Sequence, residues 1–524
     1  MRAKFVLSAF ICTATLAVAQ PWVQWMDVYQ GVRNNTVKES KWDPSGHLIV
    51  MGGDPDSENR LRWTIIKYAP DGRRVWLRSI ARNSGEALGG PSALAVDSSG
   101  NVFVTGAAHP QPERQAIDTV KMDRDGRLLW RHRFETPGFN LDESYDLAVD
   151  DSGNAYVAGM SEAWDAAIHY VVYKLNSDGQ LQWMRRPPPP HDRTRSRASR
   201  VAYSPQNDLI YATGTVAVDA PRPNDWTRYW SDMWVAAYRA EDGALVGFNR
   251  LASQTEYSRH YHALGIVAID GDLIFTGGTI TWANDRGQVS FAAATGRIRP
   301  NGELAWVRVY ELYPQSQFFG SAIGLTIANG IVYSFSGADH WTDIDLYDCY
   351  VLRYRLDGAP LEPLFYRPMP DFEGNAQRGR VDAFGSLYVG YGGSQRSSSL
   401  NQDVYVAKFN AGDQLTWQYR WHAPADNVDT LEDLFLDDWG GVYIVGTTVW
   451  DWTSGADAIT IKLCQRWGDA NNDGRVDGTD LETVLENFGA IVPPGSNGDA
   501  VKDGFVDDAD LALVLWMYGE TCGD

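Results

Sequence analysis

The chain has 524 residues, with 46 Lys and Arg against 67 Asp and Glu, a formal net charge of −21. A surface this acidic excludes nucleic acid and anionic membranes as general partners, because phosphate binding needs clustered positive charge. With 44% hydrophobic residues the chain can bury a large core, and its length calls for several cores or one repeated unit.

At the start, Arg2 and Lys4 precede an apolar run from Phe5 to Val18, and Ala17-Val18-Ala19 gives the small-x-small pattern of a signal-peptidase site. Residues 1–19 therefore read as a signal peptide, with Gln20 first in a secreted, extracellular chain. The run is shorter than the roughly 20 apolar residues of a spanning helix. No other stretch is apolar enough, so no membrane insertion is expected. The bulky Ile11 before Cys12 argues against lipidation. Of the other cysteines, Cys349 falls in an apolar strand pattern and reads as a buried free thiol. Cys464 and Cys522 bracket the C-terminal segment and are a candidate disulfide.

Residues 20–463 repeat one unit. Asp97-Ser-Ser-Gly-Asn-Val-Phe-Val-Thr-Gly106 recurs as Asp150-Asp-Ser-Gly-Asn-Ala-Tyr-Val-Ala-Gly159. Related copies start near Asp43, Ser204, Ile269, Ala328, Asp382 and Asp437, about 56 residues apart. Each unit carries four short β-branched or aromatic stretches bounded by Gly, Asp, Asn and Ser, which read as strands joined by tight hairpins. Eight four-stranded units predict an all-β, eight-bladed β-propeller, with seven blades as the alternative. The last unit stops after its third strand, Ile459–Leu463. The segment 22–29 looks like a fourth strand, with Trp25 where other units have Trp76, Trp130, Trp183, Trp306 and Trp417. It should complete the last blade and close the ring, which removes exposed edges. The Trp residues are expected to pack between blades, with Phe248 and Phe365 near that position in the two remaining units. The phrases DSSGNVFVTG and DTVKMDRDGRLLW resemble the SBBP-type β-propeller repeats of secreted bacterial proteins. That resemblance implies a propeller and no particular chemistry.

The hairpins between first and second, and between third and fourth, strands share one face of such a ring. The longer, more varied connections share the other, where binding residues are expected. There lie Trp164, Trp226, Trp230, Trp282, Trp341, Trp450 and Trp452, whose indole faces suit sugars or a peptide partner, or pack on their own blade rims. The loop Arg185–Arg200 holds six Arg beside four prolines, a grip for an anionic glycan or a solvated loop. His260 with His262, and Asp339 with His340, are pairs of acid–base or metal-ligating type, without a visible ligand set. Of two enzymatic propeller patterns, the first fails on spacing and the second, to which NSDGQLQW looks similar, is weak. Asp178-Gly-Gln-Leu-Gln-Trp183 departs from the spacing of sialidase Asp boxes. Quinoprotein dehydrogenases usually carry adjacent cysteines, and this domain has only Cys349.

Residues 464–524 hold 13 acidic and 3 basic residues, close to half of the net charge. In Asp469-Ala-Asn-Asn-Asp-Gly-Arg-Val-Asp-Gly-Thr-Asp480, oxygen side chains fall at positions one, three, five, nine and twelve, with Gly474 at six. This is an EF-hand-type calcium loop. Asp469, Asn471, Asp473, Asp477 and Asp480 would supply side chains and Arg475 its carbonyl. A second loop, with Asp499, Asp503, Phe505 (carbonyl), Asp507 and Asp510, has Val501 at the third position and should bind Ca²⁺ more weakly. Each loop leads into a short amphipathic helix. Two such units about 30 residues apart resemble the type I dockerin. The resemblance implies calcium-dependent folding and docking to a cohesin-like protein or cell-surface scaffold. Gly478-Thr479 and Asp508-Ala509 stand at its partner-selecting positions. Glu486-Asn487 and Trp516-Met517 replace its usual mid-helix basic pair. The sequence thus points to a secreted binding or scaffold propeller for carbohydrate or protein, with catalysis on polysaccharide, as a hydrolase or lyase, the alternative.

Overall fold

The computed structural model describes residues 21–31, 34–58, 60–80, 87–111, 114–137, 141–162, 168–186, 196–217, 231–251, 261–283, 289–311, 318–340, 348–366, 368, 372–395, 402–425, 428–437, 440–450, 455–464, 468–471, 476–492, 497–501 and 504–519.

The repeat phrase folds through its own side chains. Asp97 Oδ1 accepts from the backbone N–H of Ser99 (3.0 Å) and Asn101 (2.8 Å), and Gly100 turns the chain at φ +79°. Asp43, Asp150 and Asp382 make the same pair of bonds. A lysine on the third strand meets the buried carboxylate: Lys67 reaches Asp43 at 2.6 Å and Lys462 reaches Asp437 at 3.0 Å. Local turn chemistry and a long-range ion pair therefore fix these hairpins together.

Eight four-stranded antiparallel blades result. Their innermost strands, in order, are Thr36–Trp42, Ala87–Val96, Asp142–Val149, Ser196–Ser204, Tyr261–Ile269, Phe318–Ala328, Phe372–Val381 and Thr430–Leu436. A single parallel bridge, Ser290 to Phe318, joins the fifth and sixth blades. Trp22–Tyr29 pairs antiparallel with Asp457–Cys464, so the first strand of the chain is the outermost strand of the eighth blade. The core lies between blades. One cluster joins Ile49, Trp63 and Ile65 of the first blade to Leu94, Val104 and Val120 of the second.

The tryptophans bridge consecutive blades, as their position predicts. Trp130 Nε1 donates to Ser177 O (2.9 Å), Trp183 Nε1 to Ala240 O (3.1 Å) and Trp306 Nε1 to Leu356 O (3.0 Å), each acceptor lying in the next blade. Trp25 makes the equivalent bond to Pro70 O across the closure (3.0 Å). The two phenylalanines do not follow. In the fourth blade the residue opposite Ala237, where six other blades carry Trp, is Gly247. Asn301 and Pro300 of the fifth blade press against it. Phe248 follows one position on, facing outward and exposed. In the sixth blade Phe365 pairs with Tyr350, beyond the Trp register, and is also exposed. A closer blade contact takes the place of the indole in the fourth blade.

The C-terminal segment folds on a thirty-residue echo. Helices Gly478–Glu486 and Asp508–Trp516 are capped by Asp477 and Asp507, each in a capping box completed by Asp480 or Asp510. Ala470 with Ala500, Val476 with Val506, and Val484 with Val514 form a shared core, against which Phe384 of the seventh blade also packs.

Candidate functional site

Every innermost strand slips register against its neighbour, once in seven blades and twice in the second. The slip leaves out Lys38, Tyr145, Ser199, Leu264, Ile323, Gln377 and Glu432 in seven blades, and recurs around Pro91 and Ser92 in the second. A β-bulge of this kind bends the strand and re-aims adjacent side chains. Repeated round a ring, it brings the residue after the bulge to the axis in seven blades, joined in five of them by the bulged residue itself.

In four blades the residue after the bulge bonds the next blade. Glu39 accepts from Leu94 N (2.6 Å), Asp146 from Val201 N (2.8 Å), and Arg200 Nε donates to Leu264 O (2.8 Å). Asp433 accepts from Ser40 Oγ across the closure (3.2 Å). In the fifth and sixth blades this residue is Gly265 or Gly324, and the next blade closes in. A Cβ on Gly324 would stand 2.4 Å from Gln377 O.

Together these residues enclose a central channel of about 750 Å³. Its walls differ in chemistry. The seventh, eighth and first blades bring Arg378, Arg380, Lys38 and Lys41, interleaved with Glu432, Asp433 and Glu39. The third blade brings Glu143 and Asp146, and the fourth Arg200. The fifth and sixth bring Leu264, Ile266, Ile323 and Leu325. Within the charged wall, Lys41 bonds Glu39 (2.6 Å) and Arg380 bonds Asp433 (3.2 Å). Burial works to lower the Lys41 pKa, but the Glu39 and Asp433 carboxylates outweigh it and hold it above its ordinary value. Burial lowers Arg380, against the pull of Asp433. Burial raises Glu432, an effect that the Arg378 and Lys38 cations oppose. Asp146 is pushed up to about 6 by burial, opposed by Arg200 and reinforced by Glu39. Such a lumen can hold a small polar ligand by charge at its edges and by apolar contact on one side.

Sequence reasoning missed this lining. Its signal was a fixed offset: Glu39, Ala93, Asp146, Arg200, Gly265, Gly324, Arg378 and Asp433 each stand four residues before the start of a repeat copy. The face candidates fare differently. Trp164, Trp226, Trp230, Trp341 and Trp452 lie outside the described residues, and Trp282 is described only as backbone, paired with Ser290 at a strand end. Trp450 stacks on Trp421 of the neighbouring blade (centroids 6.3 Å apart, planes 13° apart), so it packs at a blade rim. Residues 187–195 of the arginine loop and His260 also lie outside, and His262, Asp339 and His340 are described as backbone alone.

In the C-terminal loops, Asp480 accepts from Asn471 N (3.1 Å) and Asp477 N (2.8 Å), and Asp510 from Val501 N (2.8 Å) and Asp507 N (2.9 Å). Asp469, Asp480, Asp499 and Asp510 are buried. Buried carboxylates are the donors that a hard cation such as calcium requires. Phe505 pairs with Ile491 in a backbone bridge. Asp473, Arg475, Asp503 and Cys522 lie outside the described residues. Among the described residues no three His, Cys, Asp or Glu side chains are grouped to hold a metal ion. Cys464 is disulfide-bonded, and Cys349 is a buried free thiol.

The fold and lumen define a β-propeller with an enclosed polar channel. A family profile described as outer membrane protein assembly factor BamB (PQQ_2) matches residues 63–340, and the chain belongs to that family. No curated protein matches it. Among solved structures it is similar to Drosophila Plexin A in complex with Semaphorin 1b (TM-score 0.38, 8% identity, covering 87% of this chain and 90% of that one). It is also similar to the GH93 α-L-arabinofuranosidase of Fusarium graminearum with arabinobiose (0.36, 9%, 84% and 96%). A third is the periplasmic gluconolactonase PpgL of Pseudomonas aeruginosa (0.36, 13%, 75% and 95%). At this distance no ligand or activity passes from them to this chain.

Proposed function

We infer that the chain is an exported, non-catalytic binding propeller, whose C-terminal module is ordered by calcium and docks it to a partner. The lumen carries the binding half. Its volume of about 750 Å³ falls in the range of small-ligand sites, and Glu39, Asp146, Arg200, Arg380 and Asp433 of its lining are held by bonds between blades, which favours a preformed cavity. The echoed Asp-capped helices and their buried carboxylates support the docking half, as does the likeness to dockerins. Leu485 with Leu515, and Phe488 with Tyr518, are exposed apolar side chains at matching positions of the two halves, the kind of surface a partner covers. The basic start and apolar run of residues 1–19 support export.

The full mature chain, used as bait in its native secretome with calcium or with chelator, tests this reading. One defined partner, captured in calcium and lost both in chelator and with Asp473→Ala, is the expected result. Absence of any calcium-dependent partner removes the docking half. Product release from a glycan panel overturns the non-catalytic reading.

A further inference from the structure

We propose that the central channel binds a zwitterionic, partly apolar small molecule, of the class of short unblocked peptides. The inference rests on reading the propeller as a binder and adds the chemistry of its ligand. Three walls of the lumen carry it. On the seventh and first blades, Arg378 and Lys38 flank Glu432. Arg378 spends one guanidinium N–H on the carbonyl of its own neighbour, Gln377 (3.0 Å), rather than on the next blade. These cations suit a carboxylate. The third blade, diametrically opposite the seventh in an eightfold ring, presents Glu143 and Asp146, which suit an ammonium. Tyr145 Oη donates to Glu143 (2.9 Å) and so holds that carboxylate in place. Arg197 lies over the Tyr145 ring, 5.7 Å from its centroid, and does not line the cavity. Between these poles, Leu264, Ile266, Ile323 and Leu325 form an aliphatic wall, a seat for aliphatic side chains.

The whole lining is balanced, with Lys38, Lys41, Arg200, Arg378 and Arg380 against Glu39, Glu143, Asp146, Glu432 and Asp433. A ligand of one net sign would gain attraction at one wall and lose it at the other. A ligand carrying both signs, separated by its own length, is attracted at both.

Calorimetric titration of the intact mature chain with leucyl-leucine and trileucine tests the proposal, beside the same peptides N-acetylated or C-amidated. Saturable binding of the free peptides is expected, weakened about tenfold or more by either blocking group. Arg378→Gln should weaken the free peptide and leave the C-amide unaffected, and Glu143→Gln should do the converse with the N-acetyl form. A melting curve on each variant checks that the ring is intact. Free peptides that do not bind, or blocked forms that bind as tightly, overturn the proposal. The wild-type comparison decides this even if a variant fails to fold. Either failure leaves the calcium-dependent partner assay, and the binding reading it tests, standing.

Discussion

Gly243 of the fourth blade lies beneath the indole of Trp183 from the third, so closely that a Cβ on it would stand 2.6 Å from the ring carbon Cδ2. Above that glycine, Trp183 Nε1 and Lys174 Nζ both donate to Ala240 O, at 3.1 and 2.9 Å. The indole therefore needs a bare backbone beneath it and a carbonyl beside it, both supplied by the next blade. Gly179 meets Trp130, and Gly358 meets Trp306, in the same way.

Gly243→Ala should destabilise the ring by about 2–4 kcal/mol, combining the left-handed backbone (φ +69°) with the clash. Gly46→Ala is the control. Its φ is +76° but nothing lies within 4 Å of the added Cβ, so only the backbone cost of about 1 kcal/mol applies. Urea melts of both variants measure the difference, and equal losses would show that the indole contact is slack.

Glu39 spans the gap between the first and second blades through its 2.6 Å bond from Leu94 N. Glu39→Gln should cost about 1–2 kcal/mol, because a charge-assisted bond weakens and Lys41 loses its partner. Glu432→Gln, which breaks no bond between blades, should cost under about 0.5 kcal/mol. Chemical denaturation ranks the two, and the reverse order contradicts the role assigned to the residue after the bulge.

Asp146 writes a pH signature into stability. Its carboxyl, facing Arg200 and Glu39, holds a proton up to about 6 in the folded ring, against an ordinary value of 3.8. The folded state thus binds the proton more tightly than the unfolded chain does. Its contribution is full below about pH 4 and is lost as pH rises through about 6. In Asp146→Asn that decline disappears. Between pH 4 and 7.5 the variant should gain about 2–3 kcal/mol relative to wild type. A constant offset across this range would show that Asp146 ionises normally.

On the calcium reading, the full chain should show a C-terminal transition that rises with calcium, by about 2.7 kcal/mol at a hundredfold excess over Kd. Asp473→Ala should abolish the rise. Calorimetry with and without chelator resolves it, and a transition indifferent to calcium would count against metal in both loops.

The blade count, the closing strand and the interblade tryptophans were legible in sequence because each rests on local chemistry repeated many times. Asp97, Gly100 and Trp130 recur at fixed spacing, and repetition averages out single departures. Phe248 and Phe365 misled for the opposite reason. Aromatic character was read where register mattered, and Gly247 shows that two blades can approach without an indole. The channel stayed hidden because its side chains alternate in identity: Glu39, Asp146, Arg200, Gly265 and Arg378 share a place in the ring but no chemistry. A repeat sought by likeness passes over a position whose function is to vary. What aligns them is their offset from the repeat phrase and the bulge, a backbone feature with no residue preference of its own.

The pairing of Trp22–Tyr29 with Asp457–Cys464 sets a kinetic condition on assembly. The segment synthesised early has to remain unspent until the whole propeller has emerged, since its partner strand is the last of the propeller to be made. Until then the eighth sheet lacks its outer member and the first segment exposes Trp25 without the Tyr443 ring that meets it edge-on. Contacts this remote in sequence slow the final step and leave bare strand edges open to intermolecular pairing. Refolding yield should therefore fall with concentration far more steeply than native stability would suggest.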